Sequence, residues 1–547
     1  MPPPTQAPIL IIGAGPVGLC LALELLYHSV PVVIIEKTST ITNNHPKGRN
    51  NDMRTLEHYR RWGVSDEIRS LSWKTENPKQ ELIIKERLVD QDPIGAFPLK
   101  YGRDPDESGQ FVAEPSLSAP QPVLQGVLER RVVELGGAVW RGWEVTNVDD
   151  RGGKVIVTAR RDDEVHEMQA EYVVGCDGPG SLVRKAMGVE HDGEGPLGRT
   201  WTYVVRSEGF PIASALKGSQ YDALGFLMVV NPEASSLINI PGEDEWGFGI
   251  LVTGEKKDTE PAEEGVKAYA RRLLGAPAKV DIISRSSYAA MMRLSRKYRR
   301  GRLFIAGDAC HICPPTGGHN MNTGIEDAVN LGWKLAGVLQ GWGRDALLDT
   351  YHTERWPVGR RVSGVAMANS LAMSEAEEPV DGAGGAEPTP ADRARQIFER
   401  TYRQWNSYGV VLDQRYDGSP AIIQEGWEAP PWTPTNYWPH ARPGHRAPHL
   451  WLPDRTPLHD HFGKQFTLLN VGASKDIVDR FLSAATSLGL SVVELQIVPQ
   501  IAGTKYPAKL TLIRPDQYIS WQGDECDAEK VIRQITGHIT ERAATKL

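Results

Sequence analysis

Apolar and polar positions along the chain fall into blocks that predict its elements. Residues 9–12, Ile-Leu-Ile-Ile, are a short apolar run of the kind a strand buried on both faces needs. Apolar positions at helical spacing follow (Leu19, Ala22, Leu23 and Leu26), and then the run "VPVVIIE", which ends on Glu36. "EYVVGCDGPGSLVRKAMG" (171–188) reads as a strand ending in Asp177-Gly178, then a helix carrying Arg184. "RLFIAGD" (302–308) reads as another strand, ending in Gly307-Asp308. Ile325, Ala328, Val329, Leu335 and Ala336 keep i, i+3, i+4 spacing and predict a helix starting near Thr323. Residues 200–252 alternate as an antiparallel sheet does, and Tyr203, Tyr221 and Met228 there are pocket candidates or ordinary core residues. Strand and helix patterns resume after residue 437 and end in "KLTLIRPDQYISWQGD" (509–524).

The turn after the first strand is Gly13-Ala14-Gly15-Pro16-Val17-Gly18, a G-x-G-x-x-G pattern. Its glycines permit a tight turn and let backbone approach a pyrophosphate at a helix N-terminus. Glu36 stands about 20 residues on, where an acid accepts hydrogen bonds from a ribose. The alternative, a glycine-rich turn without a ligand, is weakened by the strand, helix, second strand and terminal acid being present together. The pattern alone does not separate NAD from FAD. Gly193 to Gly198 also fits G-x-G-x-x-G, but it follows "VEHD" and reads as a surface loop. One dinucleotide fold is therefore expected.

Composition narrows this reading. The chain has 547 residues, enough for two or three domains, and is 40% apolar and 24% charged, as soluble proteins are. A net charge of −8 gives no support for nucleic acid or an acidic membrane as partner. Five scattered cysteines fit a reducing compartment. The run "ILIIGAGPVGLCLALELL" falls short of the ~20 clean apolar residues of a spanning helix and has no basic segment before it. No targeting segment is read, and the cytoplasm is the expected location.

G-x-G-x-x-G, then "DG", then "GD", in that order, resembles the FAD-dependent aromatic hydroxylases, single-component flavoprotein monooxygenases related to para-hydroxybenzoate and phenol hydroxylases. "HPKGRNNDMRTLEHYRRWGV" (45–64), "PQPVLQGVLERRV" (120–132) and "PPTGGHNMNTGIEDAVNLGWKLAGVL" (314–339) resemble further segments of that family. The resemblance implies FAD contacts from Gly13, Gly15, Pro16, Gly18, Glu36, Lys37, Arg49, Gln121, Val145, Asp177, Asp308, Pro315, Gly318, Asn320, Met321 and Asn322. Asp308 would hold a ribityl hydroxyl. The loop 314–322 would lie along the isoalloxazine ring, with backbone N–H groups of Met321 and Asn322 at its pyrimidine edge. The positive helix end there would favour the anionic reduced flavin. The implied reaction takes a hydride from NADPH or NADH, and O2 gives a flavin C(4a)-peroxide that hydroxylates a phenolic or polyketide-type ring. Arg49 and Tyr221 are the catalytic candidates. Arg49 cannot be a general base, but a guanidinium there stabilises a phenolate or a substrate oxygen. The alternative is a flavin oxidoreductase of the same fold that does not hydroxylate.

The expected architecture is α/β. A Rossmann-type FAD-binding domain (1–374) is interleaved with an antiparallel-sheet substrate domain (about 75–120 and 190–295). A linker or insertion (375–395), a helical connector (396–436) and a thioredoxin-like α/β domain (437–547) follow. That last domain, implied by resemblance to the phenol hydroxylase branch, lacks C-x-x-C because Cys526 is its one cysteine. It reads as structural or as part of a homodimer interface. The expected partner is a small aromatic molecule, with no membrane and no nucleic acid. Cys310-His311-Ile312-Cys313 could form a disulfide, but no second cysteine pair offers zinc ligands, and Pro314 excludes haem attachment. Asn320 stands where the family usually has glycine; asparagine is the next-best residue if that position needs φ > 0.

Overall fold

A computed structural model describes residues 3–41, 48, 50–72, 81–99, 109–193, 195, 198–209, 226–238, 245–377, 389–424 and 429–539. Arg49 and Tyr221 lie outside the described residues. The apolar runs become the centre of an eight-stranded sheet. Strand β1 (Gln6–Ile12) pairs in parallel with β2 (Val32–Glu36) on one side and with β3 (Glu164–Gly175) on the other. Strand β4 (Leu303–Ile305) extends the sheet in parallel beyond β3, as Ala138–Arg141 does beyond β2. Ile9, Leu10, Ile11, Val173, Val174 and Ile305 are fully buried in the main core, where helices pack against the sheet. Two of those helices are α1 (Pro16–Tyr27) and, later in the chain, the long helix beginning at Asn320.

Helix α2 (Met53–Arg61) defeats the hydrophobic pattern. Its sequence, "MRTLEHYRR", is mostly polar, yet Met53 through Tyr59 are all buried. Helix α3 (Asn320–Leu339) is buried along nearly its whole length, and α4 (Asp345–Glu377) packs on it. Helix α3 starts three residues before the expected Thr323. Its apolar periodicity begins at Ile325, but residues 320–322 are already helical, and Asn320 and Asn322 use their side chains for polar ties.

The segments expected to form the substrate domain fold into an antiparallel sheet of Gly198–Ser207, Glu245–Thr253 and Val280–Ala290, and a second sheet of Ala234–Ile238, Phe226–Asn231, Glu81–Lys85 and Gly95–Pro98. That second sheet has one parallel pair, Phe226–Asn231 with Glu81–Lys85. Tyr203 packs with Trp246 and Phe248 in one core, and Met228 is buried beside Leu82 and Ile84 in another. A helix Pro390–Trp405 opens on a Thr389/Asp392 capping box, inside the segment expected as linker.

At the C-terminal end, Phe466–Asn470 pairs in parallel with Val492–Gln496 and antiparallel with Leu510–Ile513, which pairs antiparallel with Ile519–Gly523. With the helices Lys475–Ser487 and Ala528–Ile535 this is a thioredoxin-like topology. It docks on the far end of α3, where Trp333 and Trp342 stack and Phe466 meets both edge-on.

Between the two bodies lies a buried ionic web. Glu354 takes both terminal guanidinium nitrogens of Arg514 at 2.8 Å, Lys334 at 2.7 Å, Asn330 at 2.7 Å and the Ser419 hydroxyl at 2.6 Å. Asp516 takes Arg514 at 2.5 Å and Trp333 Nε1 at 3.1 Å, while its carbonyl accepts from Arg54 at 2.6 Å. Glu57 holds Arg54 at 2.8 Å and Arg446, and Glu326 holds His58 Nε2 at 2.5 Å. Cations and anions match in number: Lys334 and Arg514 face Glu354 and Asp516, and Arg54 and Arg446 face Glu57 and Glu326. Burial alone would raise the Glu354 carboxyl, but Arg514 and Lys334 hold it well below the usual range. Burial pulls the Lys334 ammonium down to about 8 even with Glu354 beside it. Removing one member strands the others without water. Arg514→Met is therefore expected to lower unfolding stability by about 3–5 kcal/mol in guanidinium titrations read by tryptophan fluorescence; a loss under 1 kcal/mol would show the web to be dispensable.

Candidate functional site

The carboxyl ends of β1, β3 and β4 come together at one edge of the sheet, where open α/β sheets bind ligands. The chain turns tightly there. Gly13 N–H donates to Ile35 C=O, Cys176 N–H to Ile12 C=O, and Ala306 N–H to Gly175 C=O. Gly13 has φ +105°, and a Cβ there would lie 2.4 Å from the Cys176 carbonyl oxygen. A Cβ on Gly18 would lie 2.0 Å from the Gly13 carbonyl oxygen. Gly15 differs: a Cβ there would meet nothing within 4 Å. Gly13 and Gly18 are thus needed for packing, whereas Gly15 keeps a face of backbone open.

That open face borders the N-terminus of α1, where Gly15 and Pro16 start the helix and no side chain caps it. Glu36 reaches the same turn, accepting Ala14 N–H at 2.8 Å with one oxygen and Thr38 N–H at 2.8 Å with the other. Burial would raise its carboxyl, but those amides hold it below the ordinary range. Gln125, one helical turn beyond Gln121, donates to the Ala14 carbonyl at 3.1 Å. Gln121 Nε2 donates to Gln125 at 3.4 Å. Open backbone, an uncapped helix N-terminus and a nearby acid fit the pyrophosphate and ribose of a dinucleotide. Lys37 is exposed at the end of β2, and Val145 is half-buried against the main core. Asp177 caps the short helix Leu182–Ala186 through one oxygen, accepting Leu182 N–H at 2.6 Å; its other oxygen is buried without a partner.

The second half of the site is built on Gly307. It has φ +65°, and a Cβ there would lie 2.9 Å from Val17. A Cβ on Gly324 of α3 would lie 2.7 Å from Val17 and 2.9 Å from the Gly307 Cα. Backbone contact therefore fixes α1, α3 and the turn after β4 against one another. Asp308 follows Gly307 and is exposed at the sheet edge. The loop Pro315 to Gly318 turns through a Gly318 N–H bond to the Pro315 carbonyl, with left-handed Gly317 and Gly318. Helix α3 then begins with no side-chain cap. Asn322 ties its first turn to the segment before α2: its Oδ1 accepts from Asp52 N–H at 3.1 Å and the Thr55 hydroxyl at 2.8 Å, and its Nδ2 donates to the Asn50 carbonyl at 3.0 Å. Met321 is half-buried beside it.

Asn320 does not occupy the left-handed region. It is the first residue of α3, and its side chain donates to Asp308 at 2.8 Å while its Oδ1 faces His311 Nδ1 at 2.9 Å. Its value here lies in the carboxamide, which periodicity could not reveal. Cys310 and Cys313 are both free. The Cys310 thiol is buried and hydrogen-bonded to the Ile305 carbonyl at 3.0 Å, and burial pushes the Cys313 thiol up to about 12. Neither has thiolate character. Among the described residues no group of side chains could hold a metal ion, and no helix is long and apolar enough to cross a membrane.

Comparison with known proteins agrees with this geometry. Residues 6–366 match the FAD binding domain family, and residues 440–543 match the aromatic-ring hydroxylase C-terminal family. The FAD-dependent monooxygenase apdD of Emericella nidulans is 32% identical, with 97% of this chain and 90% of that protein covered. A putative polyketide hydroxylase of Streptomyces halstedii is 30% identical over 95% and 94%. The structure of the flavin-dependent monooxygenase PieE in complex with FAD and substrate superposes with a TM-score of 0.86 at 25% identity, covering 98% of this chain and all of that one.

The two glycines predict separable effects. Gly13→Ala collides with backbone and should lower the melting temperature. Gly15→Ala should leave stability within about 0.5 kcal/mol yet weaken dinucleotide binding about tenfold or more, a loss of ~1.4 kcal/mol. Thermal melts and flavin content after purification check both; full flavin content in Gly15→Ala would remove the open face from the site. Asp52 supplies a pH test. Burial pushes its carboxyl up to about 7, opposed by the Thr55 amide and reinforced by Glu326. The fold keeps a proton that the unfolded chain releases near 3.8, so Asp52 reduces stability increasingly from pH ~4 to ~7. Asparagine caps α2 equally well. Asp52→Asn should therefore match the wild-type melting temperature at about pH 4, exceed it increasingly up to about pH 7, and keep that lead at about pH 8.5; a difference independent of pH would contradict the shift.

Proposed function

The chain belongs to the aromatic-ring hydroxylases that carry an FAD-binding domain, and from that membership we propose that it hydroxylates a phenolic or polyketide-type aromatic substrate, consuming O2 and NADPH or NADH. The observation that carries this reading is the joint match of both domains with a glycine turn and the α3 N-terminus set on one sheet edge. Bound FAD supplies the redox chemistry: it accepts a hydride from the nicotinamide and activates O2 for transfer of one oxygen atom to the ring.

The chain's own residues bind and orient. The open backbone at Gly15, beside Gly13, Pro16 and Gly18, would receive the pyrophosphate. Glu36 would accept from the adenosine ribose, and Asp308 from the ribityl chain. Pro315, Gly318, Asn320, Met321 and Asn322 would border the flavin ring, with the positive end of α3 aimed at its anionic edge. Arg49 is next in sequence to Asn50, whose carbonyl is tied to Asn322 at that helix end. There it would stabilise a substrate phenolate rather than take a proton. The antiparallel sheet Gly198–Ser207, Glu245–Thr253 and Val280–Ala290 would cover the ring and exclude water. The names of the relatives, monooxygenases and hydroxylases, favour oxygen transfer over the non-hydroxylating alternative.

The purified protein should be yellow, and phenolic or polyketide-type compounds should stimulate its oxidation of NADPH or NADH, with one atom of 18O2 recovered in the product. A protein that cannot be loaded with FAD would defeat the reading; flavin with nicotinamide oxidation but no oxygenated product would favour the alternative. Arg49→Ala is expected to slow hydroxylation or divert reducing equivalents to hydrogen peroxide, and unchanged coupling would remove Arg49 from the site.

A further inference from the structure

Beneath the flavin-side loop runs one unbroken line of polar contacts. Asp308 accepts from Asn320 Nδ2 at 2.8 Å. Asn320 Oδ1 faces His311 Nδ1 at 2.9 Å, and His311 Nε2 faces Asp327 Oδ2 at 2.8 Å. Asp327 Oδ1 accepts from Arg355 Nε at 2.7 Å, and Asp327 Oδ2 also accepts the Gly307 N–H at 3.2 Å. Arg355 continues to the Thr323 carbonyl at 3.0 Å and to Gln414 at 2.7 Å.

The direction of each bond follows from what each group is able to do. A carboxylate only accepts, so the nitrogen of the Asn320 amide must face Asp308 and its oxygen must face His311. Asp327 also only accepts. Both ring nitrogens of His311 therefore look at acceptors, and both must carry hydrogen. We infer that His311 is a buried imidazolium, and that Asn320 couples its charge to Asp308 as a positioning device for the carboxylate that receives the ribityl chain. The inference rests on the reading of Asp308 as an FAD ligand.

The surroundings permit the charge. Groups facing His311 are Asp327 on α3, Arg355 on α4, Asp308 across Asn320, His191 two strands away in the same small sheet, Tyr298, and Cys310 on its own turn. His311 and Arg355 balance Asp327 and Asp308. Burial works against the charged ring, yet Asp327 and Asn320 outweigh it and hold its titration above the ordinary value. The imidazolium is lost only as pH rises through that higher value. Once neutral, His311 keeps a single proton, and one of its two ties is broken. The Asn320 bond to Asp308 then loses the charged partner behind it.

The full-length protein labelled with 15N-histidine tests the charge directly. Long-range 1H–15N spectra at pH 7.5 should show two protonated ring nitrogens for the signal that His311→Gln removes. One protonated and one bare nitrogen would overturn the inference, whether or not FAD binds. The coupling is read separately from the rate of FAD release on dilution, followed by flavin fluorescence. Release should speed up about fivefold or more between pH 7 and the pH at which the His311 signal titrates. Asn320→Ala should release FAD at the faster rate at both values. A wild-type release rate that ignores the His311 titration would reject the coupling, and this arm stands even if Asn320→Ala fails to fold. Absence of FAD from the wild type would instead defeat the functional reading, leaving the ring-nitrogen result to stand by itself.

Discussion

One carboxylate, that of Asp327, fixes the working edge of this protein. It is fully buried, and its two oxygens satisfy a backbone amide, an imidazole and a guanidinium from three different parts of the chain. Burial would raise its carboxyl, but Arg355 and His311 hold it below the usual range. Through Gly307 it sets the turn that carries Asp308, through His311 the start of the flavin-side loop, and through Arg355 the packing of α4 on α3. Taking such a charge out of water is tolerable only because every lone pair used is answered at short range. Geometry at the sheet edge therefore follows from electrostatic satisfaction deep beneath it.

The same logic recurs at the joint with the thioredoxin-like domain. An apolar seam of Trp333, Trp342 and Phe466 supplies area, while the Glu354–Arg514 web supplies orientation. Apolar contact tolerates sliding; a bidentate guanidinium pair does not. The web also explains α2, whose charged residues are buried because they reach across to Asp516 and Arg446. A domain without a cysteine pair thus serves as a structural clamp on the helix that carries the site.

Much of this was legible in the sequence, because backbone constraints leave marks there. The glycine turn, the strands ending in Asp177 and Asp308, and the alternation of the substrate sheets follow from periodicity and from residues that only certain conformations accept. What stayed hidden depends on side-chain chemistry between distant segments. Periodicity treats Arg54, Glu57 and Glu326 as surface positions, since nothing in one strand of sequence tells a buried charge pair from two solvated ones. Gln121 and Gln125 are equivalent by composition, and only the helix phase selects the one that reaches Ala14. Asn320 looked like a conformational substitute for glycine, whereas its carboxamide is what the fold uses. Arg54, Glu57 and Glu326 were the residues to suspect in hindsight: a helix with too few apolar positions to cover a core must bury polarity by pairing it.

The glycine contact between α1 and α3 has a further meaning. The Val17 side chain packs directly on Gly307 and Gly324, and the two glycines approach each other backbone to backbone. Two uncapped helix N-termini are thereby held like the jaws of a gauge, and the span between them is set by one valine and two glycines. The sheets that would cover the ring carry no such restriction, and their residues are free to diverge. The fold thus separates a turn fixed by close approach at glycine from sheets fixed by side-chain packing.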